Sequence, residues 1–540
     1  MAVLLAIGSM IYLIRTNQTL LDQRLIKLVI LTLPLWLMTS GMMASQWDEF
    51  SYWLPSTMFL LNHDGFPDSA NNITGGTFPA YPYGWPLLMY LSGKLSGQFL
   101  ENSGALLNLF VLFTFGLVLL EVINKCLKRA DDRNLHGWMV IALGGLLVTA
   151  LNPTFVQKII LTAYSETSTS VTIALAGILA WMMLDALAIK DQQAAFRLAW
   201  QTALVLSVHI NVRQANLILF IILVFSLLVI GIRDKRINHI AMFRCVGILS
   251  IPAIMVYVTW RFHVDGHLSG AEFSVRPFEN WLIDLIPEIL AAMFTVASKK
   301  GVYFTIMAIV IIFGARGLWR METSLDRLSV LASIIFLGYN AFLLFSYVTA
   351  FGKSDALRVA SYWRYNIHAG LFANVFLVFC AAILWQKREF PDPWPKLLGG
   401  SAILILLIAP LVFAEKLRFD HEGRKPHYQM VAMDLRSLLP EHARYFIVDP
   451  KGNGEVGVIT KFRFGNPAAY GGVMSAFHPL NPQTLKANLK NSKSDFVLIH
   501  SSFEGLDAVF GLKLMKKKSY LLKRTTSGWS EVHSWLEKTK

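Results

Sequence analysis

The chain has 540 residues, of which 54% are hydrophobic and 16% charged, with a mean hydropathy of +0.48 and a formal net charge of +14. That balance excludes a soluble globular protein and defines a helical polytopic membrane protein, because the apolar residues fall in runs of roughly twenty rather than in the ten-residue alternation of a β-barrel. The positive charge lies in short loops between these runs, as the orientation rule for membrane helices requires, which excludes nucleic acid as a partner.

In chain order, residues 1–14 are apolar but short, a partial extra span at most. The first full span is read at about 25–44, followed by a long loop over 45–104. Within the loop, 51–61 and 86–99 read as amphipathic helices on the membrane surface, separated by a Gly, Asn and Pro-rich turn region at 63–83. Further spans are expected at about 105–123, 137–152, 167–189, 199–212, 214–232, 241–260, 301–318, 328–350, 365–385 and 397–414, giving about 11–12 in all. Placing the basic loops (Lys128, Arg129, Arg133; Arg233, Lys235, Arg236; Arg316, Arg320, Arg327; Arg388) in the cytoplasm leaves residues 45–104 and everything after 414 outside.

Residues 1–414 therefore read as a transmembrane domain and 415–540 as a small extracytoplasmic α/β domain. The latter carries 20 Lys plus Arg against 12 Asp plus Glu, a net charge of +8. In it, 428–439 reads as helix, and 444–448, 456–463 and 495–500 as strands. Lys516, Lys517 and Lys518 face either anionic lipid or water. Cys126, Cys245 and Cys380 sit near cytoplasmic helix ends, so no disulfide framework is expected.

The residues that stand out lie at the outer ends of spans. Asp48 and Glu49 form an acidic pair directly after the first span, among Trp47, Tyr52 and Trp53. Carboxylates at a bilayer boundary lose hydration and need a partner or a task, although an interfacial charge within an aromatic belt is the simpler alternative. Tyr164-Ser165-Glu166 brings a second acidic site, with Glu166 equally placed to cap the following helix. Arg213 sits in a tight outer turn, where it either serves the site or pairs with Glu166. Arg358 and the run Ser361-Tyr362-Trp363-Arg364-Tyr365-Asn366 open another span. His63 and His368 read as packing residues. Carboxylates with arginines at a membrane boundary suit transfer of a group from a lipid phosphate: a carboxylate takes the acceptor's proton while arginines hold the phosphate. Clustered carboxylates binding Mg or Mn are the alternative scheme.

These ordered features, together with Tyr81-Pro82-Tyr83-Gly84-Trp85-Pro86 in the long loop and the soluble C-terminal domain, resemble the GT-C fold glycosyltransferases. These membrane enzymes, which include protein O-mannosyltransferases and the lipid A aminoarabinose transferase, use polyprenyl-phosphate sugars. The resemblance implies a bacterial inner-membrane enzyme with a periplasmic active site, transferring a hexosyl or pentosyl group to a lipid, glycan or protein acceptor among membrane lipids. It implies Asp48 as catalytic base, with Glu49 and Glu166 shaping the site or holding a metal. Arg213, Arg358 and Arg364 would then meet the donor phosphate, and Trp47, Tyr81, Tyr83, Trp85, Tyr164 and Tyr365 the substrate. Glu166 stands where relatives often carry Asp. A lipid donor needs no nucleotide-sugar domain, and no G-x-G-x-x-G or P-loop is expected after a predicted strand. The rival readings are a polysaccharide polymerase or ligase using lipid-pyrophosphate donors, a transporter or flippase, and a non-catalytic scaffold.

Overall fold

The computed structural model describes residues 22–71, 74–127, 137–268, 274–387, 394–440, 442–515 and 517–537. The short apolar stretch 1–14 and Lys128, Arg129, Arg133, Arg388 and Lys516 of the basic clusters lie outside them. The main helices are α1 (Gln23–Ser40), the loop helices α2 (Leu54–His63) and α3 (Gly84–Ser96), then α4 (Ser103–Leu127), α5 (Trp138–Val148), α6 (Glu166–Ala188), α7 (Gln192–Val212), α8 (Asn216–Arg233), α9 (His239–His267), α10 (Ile286–Lys299), α11 (Gly301–Arg320), α12 (Ser324–Thr349), α13 (Gly370–Lys387) and α14 (Trp394–Val412).

Among the described residues eight stretches, carried by α4, α6 and α8 to α13, are long and apolar enough to cross a membrane, and α5 and part of α14 are shorter apolar helices. The spans expected at 25–44 and 199–212 are helical, as α1 and α7. Gln23, Arg24 and Lys27 in one, and Arg197, Gln201, His209 and Asn211 in the other, keep them out of the eight. The stretch Phe278–Lys299 was not expected: Glu279, Asp284 and Glu288 interrupt its apolar run, and within α10 only Ile289 and Met293, one helical turn apart, are buried. Helix α10 therefore packs along a narrow stripe and turns most of its surface outward.

Helix α6 is the axis of the bundle, packed by α4, α7, α8, α12 and α13. It carries one carboxylate near each end, Glu166 and Asp185. Nineteen residues at 1.5 Å each separate these by about 28 Å, close to the hydrocarbon thickness of a bilayer. Each is answered by arginine from another element. At the Asp185 end, Arg327 of α12 reaches Asp185 at 3.0 Å and Asp234 at 3.2 Å, and Arg236 holds Asp234 at 2.8 Å. That cluster ties α6, α8 and α12 together where the hydrocarbon ends.

Beyond α14 comes α15 (Lys425–Leu438), then β1 (Tyr445–Asp449), α16 (Glu455–Phe464), β2 (Tyr470–Ser475), α17 (Pro482–Ser492), β3 (Phe496–Ile499), β4 (Lys518–Thr525) and β5 (Gly528–Leu536). The strand order is β2-β1-β3-β4-β5, with β2, β1 and β3 parallel and β4 and β5 antiparallel. Alternate residues serve the two faces. Tyr445, Ile447, Phe496 and Leu498 pack on α15 and α16, while Phe446, Val448, Val497 and Ile499 pack on α17. Both faces are covered, as parallel strands require.

Two sequence expectations fail in this domain. Residues 456–463 are not a strand but lie in α16: the β-branched composition is strand-like, yet buried Val456, Ile459, Thr460 and Phe464 recur at helical spacing. A G-x-G-x-x-G segment does follow a strand, because Gly452-Asn453-Gly454-Glu455-Val456-Gly457 leaves β1 and opens α16. Gly454 has φ +88°, and a Cβ there would lie 3.3 Å from the ring of Trp47. Glycine is needed both for the left-handed backbone and for the close approach of the indole.

The domain is fastened to the loop that precedes Asp48. Arg463 of α16 grips Glu101 at 2.6 and 2.8 Å, and Glu101 in turn accepts from the Ala44 N–H at 2.8 Å. Gln429 of α15 donates to the Ala44 carbonyl at 2.6 Å, and Lys158 pairs with Glu422. Arg463→Ala strips a half-buried carboxylate of a bidentate partner, a change expected to cost about 2–3 kcal/mol. The expected outcome is a lower Tm in detergent and faster proteolytic release of the C-terminal domain. Unchanged release would show that Arg463 is not the fastening.

Candidate functional site

The acidic pair divides into two different roles. Glu49 opens a five-residue π-helical turn, Glu49–Trp53, and is buried. Its Oε2 accepts from the backbone N–H of Ser45 at 2.8 Å and Gln46 at 2.9 Å, and its Oε1 from Ala163 N–H at 2.8 Å. Both oxygens are thus spent stapling the start of the first loop to the segment before α6. The staple brings the Asp48 N–H to the Tyr164 hydroxyl at 2.9 Å. Asn108 of α4 secures the same segment, donating to the carbonyls of Thr162 at 2.9 Å and Tyr164 at 2.7 Å.

Arg364 lies in a short helical turn, Tyr362–Asn366, entered through two left-handed residues, Val359 at φ +43° and Ser361 at φ +62°. For a β-branched valine that backbone is strained, and strain of this kind persists only where the surroundings impose it. Here the Tyr347 hydroxyl holds the Ala360 carbonyl at 2.7 Å. The result aims the guanidinium at two carboxylates: Arg364 Nη1 donates to Asp48 Oδ2 at 2.6 Å, and Nε lies 3.4 Å from Glu166 Oε1. Arg213, at the end of α7, donates to the same Glu166 Oε1 at 3.0 Å. Tyr164 and Tyr365 flank the arginines, with Arg364 over both rings at 5.5 Å and Arg213 over Tyr365 at 5.8 Å.

Exposure separates the three carboxylates. The Asp48 side chain is 30% exposed, whereas Glu166 is 1% and Glu49 2% exposed. Asp48 is therefore the carboxylate that a substrate can reach, and its Oδ1 carries no bond among the described residues. Two buried atoms of the cluster also lack hydrogen-bond partners among the described residues, Glu166 Oε2 and Arg364 Nε. An unpaired buried acceptor and donor side by side form a costly arrangement that a bound polar group would relieve.

Other expected site residues are placed differently. Arg358 is exposed, bonded to Asp355 one turn away, and makes no ion pair with Asp48 or Glu166. Trp85 and Tyr83 are buried, and Trp85 donates its indole N–H to the Ala163 carbonyl at 2.8 Å, so both pack the long loop instead of facing a substrate. Tyr81 is half-buried, stacked on Phe78 and edge-on to Tyr52. Trp47 sits against Gly454. His63 bonds the Phe59 carbonyl and stacks on the Phe59 ring, and His368 bonds Tyr339 at 2.7 Å, as packing residues do. Sequence reasoning missed Glu101, Arg463 and Asn108. For Asn108 the signal was present, an amide in the middle of an apolar span.

A metal shared by Asp48, Glu49 and Glu166 does not fit these residues. Both Glu49 oxygens accept backbone N–H groups, and the Arg364 guanidinium bridges Asp48 and Glu166 where a cation would stand. Among the described residues no group of three His, Cys, Asp or Glu side chains is arranged to hold a metal ion.

The fold and site define a multi-pass helical membrane protein with an arginine–carboxylate centre at one end of its helices, roofed by a small α/β domain. No family model matches the chain, and no curated protein matches it by sequence. Solved structures are similar in overall arrangement. The Archaeoglobus fulgidus oligosaccharyltransferase in complex with Zn and sulfate has a TM-score of 0.48 and 10% identity, covering 88% of this chain and 68% of that one. The archaeal oligosaccharyltransferase AglB from the same organism, in complex with an inhibitory peptide and a dolichol-phosphate, has a TM-score of 0.48 and 11% identity over 88% and 69%. ArnT from Cupriavidus metallidurans in the apo state has a TM-score of 0.47 and 11% identity over 88% and 92%.

Burial raises the Glu49 carboxyl from its ordinary 4.5 to about 7, against the opposing pull of the Ala163, Ser45 and Gln46 N–H groups. A carboxyl raised on folding binds its proton more tightly in the folded state. Its contribution to stability is complete below about 4.5 and lost as pH rises through about 7. The Tm of the wild type should therefore fall between these values, and Glu49→Gln should flatten that fall while lowering the Tm at acid pH, since the amide nitrogen meets an N–H donor. Equal pH slopes for the two proteins would remove Glu49 as the titrating group.

Proposed function

We propose that the chain is a GT-C-type glycosyltransferase that moves a hexosyl or pentosyl group from a polyprenyl-phosphate donor to a lipid, glycan or protein acceptor. We place the reaction at the periplasmic face of a bacterial inner membrane. The observation that carries the proposal is the pairing of one accessible carboxylate, Asp48, with an arginine whose buried Nε makes no hydrogen bond among the described residues, at the end of membrane-length helices.

In this reading the acceptor hydroxyl binds at Asp48 Oδ1. Its oxygen attacks the anomeric carbon, the bond from that carbon to the phosphate oxygen breaks, and the electron pair leaves with the polyprenyl phosphate. The hydroxyl proton passes to Asp48, and attack opposite the leaving group inverts the anomeric centre. Arg364 couples the two ends of the step. As Asp48 takes the proton, its hold on the guanidinium weakens at the moment the phosphate gains charge, so positive charge shifts from base to leaving group. Arg213, shared with Glu166, supports the same phosphate. No step runs through a metal.

The test is transfer of labelled sugar from a panel of polyprenyl-phosphate sugars into membrane acceptors, comparing wild type with Asp48→Asn at matched expression. The expected result is transfer by the wild type and a loss of roughly 100-fold or more in the variant. Equal transfer by both proteins would remove Asp48 as base, and transfer by neither, with a lipid-pyrophosphate donor accepted instead, would favour the polymerase or ligase reading. Arg364→Lys, which keeps a charge but loses the planar fork, should lower kcat more than it raises the donor KM.

A further inference from the structure

We propose that the C-terminal domain carries a second binding site, a phosphate-binding pocket at the ends of β1 and β3 that shares no residue with the Asp48 centre.

The topology places it. From β1 the chain passes through α16 to β2 on one side, then through α17 back across to β3 on the other, so the order of the parallel strands reverses between β1 and β3. In open α/β sheets the crevice beyond the carboxyl ends of such a strand pair is where ligands bind. A cavity of about 310 Å³ lies there, lined by Lys451 from the loop after β1, by Ile499 to Ser502 at the end of β3, and by Lys517 and Lys518 entering β4. Arg424 and Glu537 complete the polar wall but are bonded to each other at 2.8 Å, and Arg424 also serves Asp449 and the His500 carbonyl. Lys518 lies 3.8 Å from Glu531. Lys451 and Lys517 have no carboxylate partner among the described residues, so the cavity has two uncommitted cations.

A second observation points to the same ligand class. His500 lines the cavity, is 2% exposed, and its Nε2 has no partner among the described residues. Its Nδ1 lies 3.0 Å from Ser519 Oγ, which is itself 2.8 Å from His427 Nε2. In the relay in which His427 donates to the hydroxyl and the hydroxyl to Nδ1, His500 carries its hydrogen on Nε2 and is a donor without an acceptor, and an anionic ligand at Nε2 selects that relay over its reverse. Burial, with Arg424 and His427 adding to it, holds the imidazole well below its ordinary 6.5 and so keeps it neutral. Two lysines, a buried N–H and the Ser502 hydroxyl are donors suited to the three outer oxygens of a phosphomonoester. The apolar side of the cavity, Ile499, Leu514 and Met515, faces whatever bears that phosphate.

A dinucleotide is the wrong ligand despite the glycine fingerprint. The close-approach glycine, Gly454, is already covered by Trp47, and β2 ends in Ser475, where a carboxylate would be needed to bind a ribose.

The test uses the full chain in phosphatidylcholine nanodiscs, titrated with inorganic phosphate and followed by ³¹P line broadening. The wild type is compared with Lys451→Ala/Lys517→Ala and with His500→Gln. The expected result is saturable broadening by the wild type, an affinity lower by roughly tenfold or more in the double-lysine variant, and a smaller loss for His500→Gln. Repeating the titration in discs containing phosphatidic acid separates the sources. Competition there assigns the pocket to a membrane-borne phosphate, and its absence to a soluble one. No saturable broadening by the wild type, or equal affinity in the wild type and the double-lysine variant, would overturn the proposal. Because both lysines are exposed, the double-lysine variant is expected to keep the wild-type Tm, so its loss of affinity reads on the pocket and not on folding.

Discussion

A single guanidinium, that of Arg364, holds the charged end of this protein together. It binds Asp48 from the first loop, approaches Glu166 at the start of α6, and lies over the rings of Tyr164 and Tyr365. Without it the site would present two carboxylates at the end of a bundle whose surroundings are apolar, and one of them, Glu166, has almost no access to water. Arg213 makes the set of two acids and two arginines neutral. Neutral overall yet charged at each atom, the set tolerates burial while keeping its fields directed, which is the condition under which fixed charges act most strongly on a reacting group.

The remainder of the architecture maintains that geometry. Glu49 fixes the loop against Ala163, Asn108 fixes the carbonyls around Tyr164, and the strained turn at Val359 and Ser361 aims Arg364. The C-terminal domain presses on the same loop through Arg463, Gln429 and Gly454. At the other end of α6, the Arg327 cluster supplies a counterpart of the same chemistry that ties α6, α8 and α12 together.

Much of this was legible in the sequence because membrane helices announce themselves by length and apolarity, and because charged residues at their ends are rare enough to be informative. Asp48, Glu166, Arg213 and Arg364 come together as their positions at span ends implied. What sequence could not separate was the acidic pair: Asp48 and Glu49 are adjacent, and only the fold shows that one is spent on three backbone N–H groups while the other is open. Arg358 resembled Arg364 in sequence and differs from it by facing Asp355. The apolar stretch that ends in α10 was hidden by three acids, Glu279, Asp284 and Glu288. Helix α16 was hidden by β-branched residues whose spacing, not identity, carried the signal, and with it went the glycine fingerprint, which means little without a strand before it and a helix after it.

That fingerprint has an unusual occupant. The glycine that in nucleotide-binding domains lets a pyrophosphate approach the backbone here admits the indole of Trp47, the residue before Asp48. The loop is in effect liganded by its own chain. A tethered ligand acts at an effective concentration set by its tether, of millimolar order for short flexible links and higher where the link is rigid. A free nucleotide would have to outcompete that occupant, and any nucleotide that did so would displace the neighbour of Asp48. The motif that elsewhere marks a cofactor seat thus becomes, in this chain, a latch that closes one residue away from Asp48.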